Sequence, residues 1–468
     1  MDTIRASIID GIAINARFRE RTLSALHRGI ETSRPEIIAA LHDGVARTTQ
    51  IEAEAQYIMT LNAIRDFHRS TNPKESLKQE YRPAKSQDDT HKRSPIGYAY
   101  ILTPVGDPLY SLVVPVAAAI AAGNCVLIEE AEALSSASRL IRRVLEKSLT
   151  SETVLFTTKD PFEEHFQHRF RISVQQNLVN DPWPTGLLLS APAKPRVAIV
   201  DRSGNVQNAA RACAYARFGF AGASSYAPDL VLVNEFHVEE FAQAARQAAL
   251  SFQAAQNCSG TNKTDKQESS GNVVTSTDRA TVVILEKNDK HTLSYVDSPV
   301  LKILPVSSGE ACINMLNKHD SPLLVNYIFA DPATAKYLSQ FVQASISIIN
   351  HIPAEILIGP VAPAGHPTCI HPRYTPDMFS VASPVIVEQP ESSIDQTLWP
   401  GKSSKKAVEL DKWLQSSIEP VKEPFGPTVG FFEQGLLFGV GVILTSVVVS
   451  CSLAIRYGYP VVVRTLTR

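Results

Sequence analysis

Ser225 stands in the run Ala221-Gly-Ala-Ser-Ser-Tyr-Ala-Pro-Asp-Leu-Val-Leu-Val233. Small residues come first, and Pro228-Asp229 turns the chain into an apolar strand, Leu230–Val233. A loop of this composition lets the backbone pass close to another group. A reacting side chain held beside backbone N–H donors needs that closeness. The other residues able to do chemistry are dispersed. Six cysteines, Cys125, Cys213, Cys258, Cys312, Cys369 and Cys451, form no C-x-x-C and no paired spacing. That fits a reducing compartment without a disulfide or zinc framework. Cys258 precedes a polar loop and Cys213 lies among alanines, so both read as structural. His165 and His168 have no carboxylate or histidine cluster beside them, so no metal site is expected. Lys194 has the chemistry of an amine nucleophile but reads as an exposed lysine.

The elements that must position the Ser225 loop alternate between strand and helix. Residues 1–70 carry Ile12, Phe18, Leu23, Leu26, Ile30, Ile37, Ile38 and Leu41 at helical spacing. Pro73 to Ser94 is polar and reads as a linker or exposed arm. A strand over 96–104, a small-residue helix over Pro108–Ala122 and a strand over Asn124–Ile128 make a βαβ unit of a parallel sheet. Ser135–Lys147 reads as helix and Val154–Thr157 as strand, while Pro161 to Pro195 is irregular. Strand Arg196–Asp201 and helix Val206–Phe218 lead into the Ser225 loop. After it, helix 239–252 precedes a polar stretch, 257–278, that reads as a surface loop. Strands 280–285 and 298–306, helix 309–317, strand 325–329, helix 333–343 and strand 346–349 follow.

At 468 residues the chain is expected to hold more than one domain. Its formal net charge of −2 gives no electrostatic reason to expect nucleic acid. Met1–Arg5 does not open a signal peptide, since no sustained apolar run precedes Arg17 and Arg19. Gly435–Ile455, by contrast, is 21 residues without a charge. That length spans a hydrocarbon core of ~30 Å at ~1.5 Å per residue. Arg456, Tyr457 and Tyr459 follow as interfacial anchors do. The expectation is one C-terminal span with the rest of the chain cytosolic, at the endoplasmic reticulum, peroxisome or mitochondrial outer membrane.

Several landmarks together resemble the aldehyde dehydrogenases, and within them the class 3 branch and its membrane-anchored fatty aldehyde dehydrogenases. They are Arg17-Phe-Arg19, Thr103-Pro-Val-Gly-Asp-Pro108, Ala121-Ala-Gly-Asn-Cys-Val126, Arg196–Asp201, the Ser225 loop, Ser298-Pro-Val300, Tyr327-Ile-Phe329 and Arg373-Tyr374. The series covers residues 10–385, and its order is more specific than any one motif. The resemblance implies NAD(P)-dependent oxidation of long-chain aldehydes to acids. In that chemistry a thiolate attacks the aldehyde and an amide with a backbone N–H holds the oxyanion. Hydride leaves to the cofactor, and a carboxylate activates water.

The implied positions carry other residues. The nucleophile position is Ser225, whose hydroxyl is un-ionised at pH 7, whereas a cysteine with a pKa of ~8.5 is partly thiolate. The oxyanion asparagine is Gly106, and the general base is Ser190. On the cofactor side the lysine is Glu129, which repels a phosphorylated ribose. The phosphate turn reads Phe156-Thr-Thr-Lys159, so Thr158 takes the glycine position, followed by Lys159. The carboxylate for the nicotinamide ribose falls on Tyr295 and the phenylalanine after it on Asp297.

The expected fold is therefore α/β and aldehyde dehydrogenase-like. N-terminal helices and a doubly wound cofactor-type domain occupy 1–194, and a catalytic-type α/β domain 195–350. A return segment with oligomerisation-type strands follows at 351–388, then a linker at 389–430 and a membrane anchor at 431–456. The leading functional expectation is a membrane-anchored protein of this kind whose NAD(P)-dependent oxidation is impaired or lost. The alternatives are an active fatty-aldehyde oxidoreductase with a rearranged site, and a non-catalytic scaffold that pairs with itself or with active relatives through the arm near Tyr81–Ser94.

Overall fold

The computed structural model describes residues 2–43, 48–103, 108–130, 134–158, 171–176, 187–190, 194–255, 271–276, 280–286, 293–296, 298–319, 321–387 and 431–453. Contacts divide the chain into a unit spanning Met1–Glu388 and a second spanning Gln389–Arg468.

The first unit opens with helices α1 (Asp2–Asp10), α2 (Ala16–Thr32), α3 (Arg34–His42) and α4 (Gln50–Ser70). Their apolar stripes supply Leu23, Leu26, Ile30, Ile37, Leu41 and Ile64 to one core. Helix α4 starts at a capping box: Thr49 N–H donates to the Glu52 carboxylate at 2.8 Å, and Glu52 N–H donates to Thr49 Oγ1 at 3.2 Å. The polar stretch after Pro73 is not only an arm. It begins with helix α5 (Pro73–Glu80), capped by Asn72, whose side chain accepts from Lys74 N–H at 3.0 Å. No residue of α5 is buried, so it has no apolar period; its signal is the cap and the proline at the first turn.

A two-stranded antiparallel pair joins β1 (Arg93–Pro95) to β14 (Ser380–Ala382). Then comes a five-stranded sheet of β2 (Tyr98–Leu102), β3 (Cys125–Glu129), β4 (Val154–Thr157), β5 (Arg171–Gln175) and β6 (Leu187–Leu189). Its order is β4-β3-β2-β5-β6, and every pair is parallel. The chain winds outward one way from β2 and returns to the other side with β5. The β2–β5 junction is thus a topological switch point, whose crevice lies at the carboxyl ends. β5 and β6 fall where the sequence reads as irregular. They are short, and their apolar residues, Ile172 and Val174 in one and Leu187–Leu189 in the other, lack flanking periods. Helices α6 (Tyr110–Ala122) and α7 (Ser136–Ser148) pack on this sheet, α6 buried from Tyr110 to Ala121. Gly123, at φ 95°, ends α6 in the left-handed region.

The second sheet has seven strands in the order β13-β12-β7-β8-β11-β10-β9. They are β7 (Arg196–Val200), β8 (Leu230–Asn234), β9 (Gly271–Ser276), β10 (Thr281–Leu285), β11 (Val300–Val306), β12 (Leu323–Phe329) and β13 (Ala344–Ile349). All pairs are parallel except the antiparallel β9–β10 edge. β9 lies in the stretch expected to be a surface loop; its Val273-Val-Thr275 core is β-branched and pairs at the sheet edge. Helices α8 (Val206–Phe218) and α9 (Val238–Ala255) share one core on this sheet. Helices α10 (Gly309–Leu316) and α11 (Pro332–Phe341) border another. With both faces covered, β8 and β12 are buried at every residue.

In the second unit, helix α12 runs Phe431–Leu453. Its segment Glu433–Leu453 is 21 residues with a mean hydropathy of 2.3, long and apolar enough to cross a membrane. Ile455, the expected end of the span, and the 389–430 linker lie outside the described residues.

Candidate functional site

Ser225 lies at the amino end of β8, in the loop between α8 and that strand. Beneath it sit two fully buried arginines and one fully buried carboxylate. Arg196, the first residue of β7, donates from Nε to Asp229 Oδ2 at 2.8 Å. Its Nη1 donates to the carbonyls of Ser224 at 3.2 Å and Ser225 at 3.1 Å. The Tyr295 ring, itself half exposed, lies 4.4 Å from the guanidinium carbon. Asp229 also accepts from Val296 N–H at 2.9 Å, which ties the loop to the chain entering β11. Arg217, near the end of α8, donates to the carbonyls of Gly222 at 2.8 Å, Val296 at 2.6 Å and Ser298 at 2.9 Å. With Ala227 O at 3.5 Å, four peptide carbonyls and a shared carboxylate therefore answer a charge that would be costly if left alone.

The backbone before Ser225 is held in an uncommon shape. Phe220 (φ 51°), Ala221 (φ 53°) and Gly222 (φ 82°) are left-handed in succession. The first of these is pinned from the helical layer: Phe220 N–H donates to Glu52 at 2.7 Å. The carboxylate that caps α4 thus also fixes the entry to the loop. Gly222 is required, because a Cβ there would lie 2.5 Å from the backbone of Ser298 and Pro299.

Ser190 follows β6 at the carboxyl edge of the five-stranded sheet and is 1% exposed. Its Oγ lies 2.9 Å from the hydroxyl of Tyr374, which is fully buried. Burial pushes the Tyr374 phenol above its ordinary range. A neutral phenol and a neutral hydroxyl share a hydrogen bond; neither accepts a proton as a carboxylate does. Cys125, Cys213 and Cys312 are buried as well. Burial raises all three thiols, those of Cys125 and Cys312 to about 12, so none is a ready thiolate.

On the cofactor side, Glu129 ends β3, level with Leu102 of β2 and Thr157 of β4, and Thr158 follows β4. Glu129, Thr158 and Ser190 thus share the carboxyl edge of one parallel sheet. The neighbouring Glu130 pairs with Arg142 of α7 at 2.5 Å, and burial outweighs that attraction and raises its pKa. Arg142 also donates to Glu146 at 2.9 Å and stacks over Phe156. A dinucleotide's phosphates want free N–H groups or a free cation at such an edge. The described edge offers a carboxylate, a threonine and an arginine held by two glutamates. These residues do not fit the phosphates or ribose of NAD(P). Gly106, Lys159 and Asp297 lie outside the described residues, as do Cys258, His165 and His168.

The structure brings Ser225 and Tyr295 together through Arg196. Ser190 is hydrogen-bonded to Tyr374 instead. Sequence reasoning missed Arg196, Arg217 and Glu52 as holders of the loop. Arg196 and Arg217 are arginines amid otherwise apolar stretches, and that was their signal.

A five-stranded parallel sheet and a mainly parallel seven-stranded sheet in this order match known proteins. The family model for the Aldehyde dehydrogenase family matches residues 13–159. Rat aldehyde dehydrogenase family 3 member A2 is 21% identical over 451 residues, covering 86% of this chain and 91% of that protein. The chain resembles the aldehyde dehydrogenase superfamily and, within it, class 3. The 4,4'-diaponeurosporen-aldehyde dehydrogenase of Staphylococcus aureus is 26% identical over 241 residues, 47% of this chain and 50% of that one. Among solved structures, substrate-bound Staphylococcus aureus AldH superposes with a TM-score of 0.65 at 18% identity, covering 88% of this chain and 99% of that one. Glyceraldehyde-3-phosphate dehydrogenase GapN of Methanocaldococcus jannaschii, complexed with NADP, gives 0.60 at 14%, covering 83% and 93%. These superpositions speak to the aldehyde dehydrogenase fold.

Proposed function

We propose that this chain is a membrane-attached aldehyde dehydrogenase homologue in which NAD(P)-dependent oxidation of long-chain aldehydes has been lost. The observation that carries the reading is Ser190. It occupies the general-base position, is sealed from solvent, and spends its hydroxyl on Tyr374. Water activation needs a group that takes up a proton near neutral pH, within reach of that water. Ser225 adds a hydroxyl where a thiolate would attack, and among the described residues no side chain is hydrogen-bonded to it as a base. Glu129 and the Arg142–Glu130 pair support weak or absent binding of a dinucleotide. Helix α12 supports attachment to a bilayer, with residues 1–430 on the cytosolic side. Its Gly435 and Gly439 have open space around them.

The remaining role is that of a folded partner, alone or paired with catalytic relatives. The test is direct. Purified full-length protein in detergent is mixed with a long-chain aldehyde and NAD or NADP, and reduced cofactor is followed by absorbance. No steady formation is expected. Turnover that disappears in Ser225→Ala would overturn the reading.

A further inference from the structure

We infer that residues Glu355–Tyr374 form a latched strap, closed over the Ser190 side of the site by the Arg373 guanidinium. The inference rests on the placement of Ser225 and Ser190 in the proposed function, and it concerns access to them rather than their chemistry.

The strap touches one element beside each described position. Ala362 N–H donates to the Tyr226 hydroxyl at 3.0 Å, next to Ser225. Ala364 N–H donates to Leu189 O at 2.9 Å, next to Ser190. Its backbone thus stretches from the Ser225 loop to the end of β6. At its far end Tyr374 covers Ser190. At its near end Gly359, at φ 84°, lies so close to Tyr110 of α6 that a Cβ would fall 2.4 Å from the ring.

The path of the strap explains the latch. It enters buried through Ile356, Leu357 and Ile358, runs exposed from Ala364 to Pro367, and returns buried at Arg373. Arg373 is fully buried and donates to carbonyls on both limbs. On the incoming limb these are Ile356 at 2.8 Å and Pro360 at 3.1 Å. On the outgoing limb they are Cys369 and Ile370. Its guanidinium also stacks on Tyr226, 4.8 Å from the ring centre. One side chain therefore closes a loop of which a quarter or more faces water. Such a loop is the kind of unit that opens without global unfolding. While it is closed, no reactant reaches Ser190 and Ser225 together.

The experiment uses a thiol as reporter. Full-length Ser190→Cys protein in detergent is treated with methyl methanethiosulfonate, and modification of each cysteine is followed by peptide mass spectrometry. Buried Cys213 serves as the marker of global unfolding. With Arg373 in place the thiol at position 190 should stay unmodified while Cys369 reacts. In the added Arg373→Ala background it should react at least tenfold faster, with Cys213 still protected. Equal rates in the two backgrounds, or Cys213 reacting in step with position 190, would overturn the strap. Should Arg373→Ala fail to fold, hydrogen exchange on the unaltered chain decides. Ala362 and Ala364 amides should exchange together and faster than Leu232 in β8; exchange at the rate of Leu232 would overturn the strap. Aldehyde turnover would overturn the proposed function and leave these rates standing.

Discussion

Arg196 and Asp229 face each other at the heads of neighbouring strands, Nε to Oδ2 at 2.8 Å, with neither side chain exposed. The same guanidinium holds the carbonyls of Ser224 and Ser225, so the ion pair is the floor of the loop.

Removing the carboxylate leaves two buried guanidinium groups with carbonyl partners only. Asp229→Ala is expected to lower stability by about 3–5 kcal/mol, as for other broken buried pairs. Urea midpoints of the variant and the unaltered chain would show it. An unchanged midpoint would mean that the carbonyls alone suffice.

A glycine pair separates strain from clash. Gly222 and Gly365 are both left-handed, at φ 82° and 80°. A Cβ at Gly365 meets nothing within 4 Å, whereas at Gly222 it meets the Ser298–Pro299 backbone. Gly365→Ala should cost roughly 1–2 kcal/mol from backbone conformation alone. Gly222→Ala should cost clearly more. Thermal midpoints that fall equally in the two variants would contradict the packing drawn around the loop.

His371 predicts a pH dependence. Tyr110 hydroxyl accepts from Arg373 N–H at 3.1 Å and shares a hydrogen bond with His371 Nδ1, 3.2 Å away. Burial, and then nearby Arg373, lower the His371 pKa against the opposing pull of Asp66 and Glu355. A histidine lowered on folding binds fewer protons folded than unfolded. Its contribution is complete above its unfolded pKa of ~6.5 and is lost as pH falls toward the folded value. His371→Gln should therefore flatten the decline of thermal midpoint on the acid side of pH ~6.5. Parallel declines in the two proteins would remove His371 from the account.

Restoring the reactive groups should not restore the reaction. Ser225→Cys with Gly106→Asn and Ser190→Glu rebuilds thiol, amide and base, yet the Glu129 edge is unchanged. One missing oxyanion donor already costs ~10²–10³ in rate. The triple variant should give at most slow reduction of NAD or NADP. Glu129→Lys should strengthen whatever dinucleotide binding calorimetry detects. Brisk turnover in the triple variant alone would show that the cofactor side is intact.

Membrane attachment is checked by fractionation. The full chain should stay with membranes at high salt and alkaline pH, and deletion of 431–468 should release it. Asn257-Cys-Ser259 and Asn262-Lys-Thr264 have the form of glycosylation acceptors, so a cytosolic placement predicts no glycosidase shift. A shift would put the main unit on the other side.

Elements with long, single-period patterns were legible from sequence. Helix α8 occupies Val206–Phe218, as read from the sequence, and the short β4 also occupies Val154–Thr157. α5 was not, because an unburied helix carries no stripe. Three-residue β6 was not, because its pairing with β5 is decided across the sheet rather than along the chain. In the candidate site, the motifs around Ser225 and Ser190 were legible as a resemblance. The sealing of Ser190 was not, since its partner Tyr374 is 184 positions away. Nor was the hold of Arg373, because its acceptors are peptide carbonyls and every residue has one.

The arginines around the loop grip main chain, and main chain does not change when a side chain does. Arg196 would hold the carbonyl at position 225 whichever residue supplied it. Drift at position 225 therefore meets little resistance from folding, while drift at Arg196, Arg217 or Asp229 meets a great deal. A descent line under pressure only to fold would keep the outline of such a loop long after parting with its reactivity.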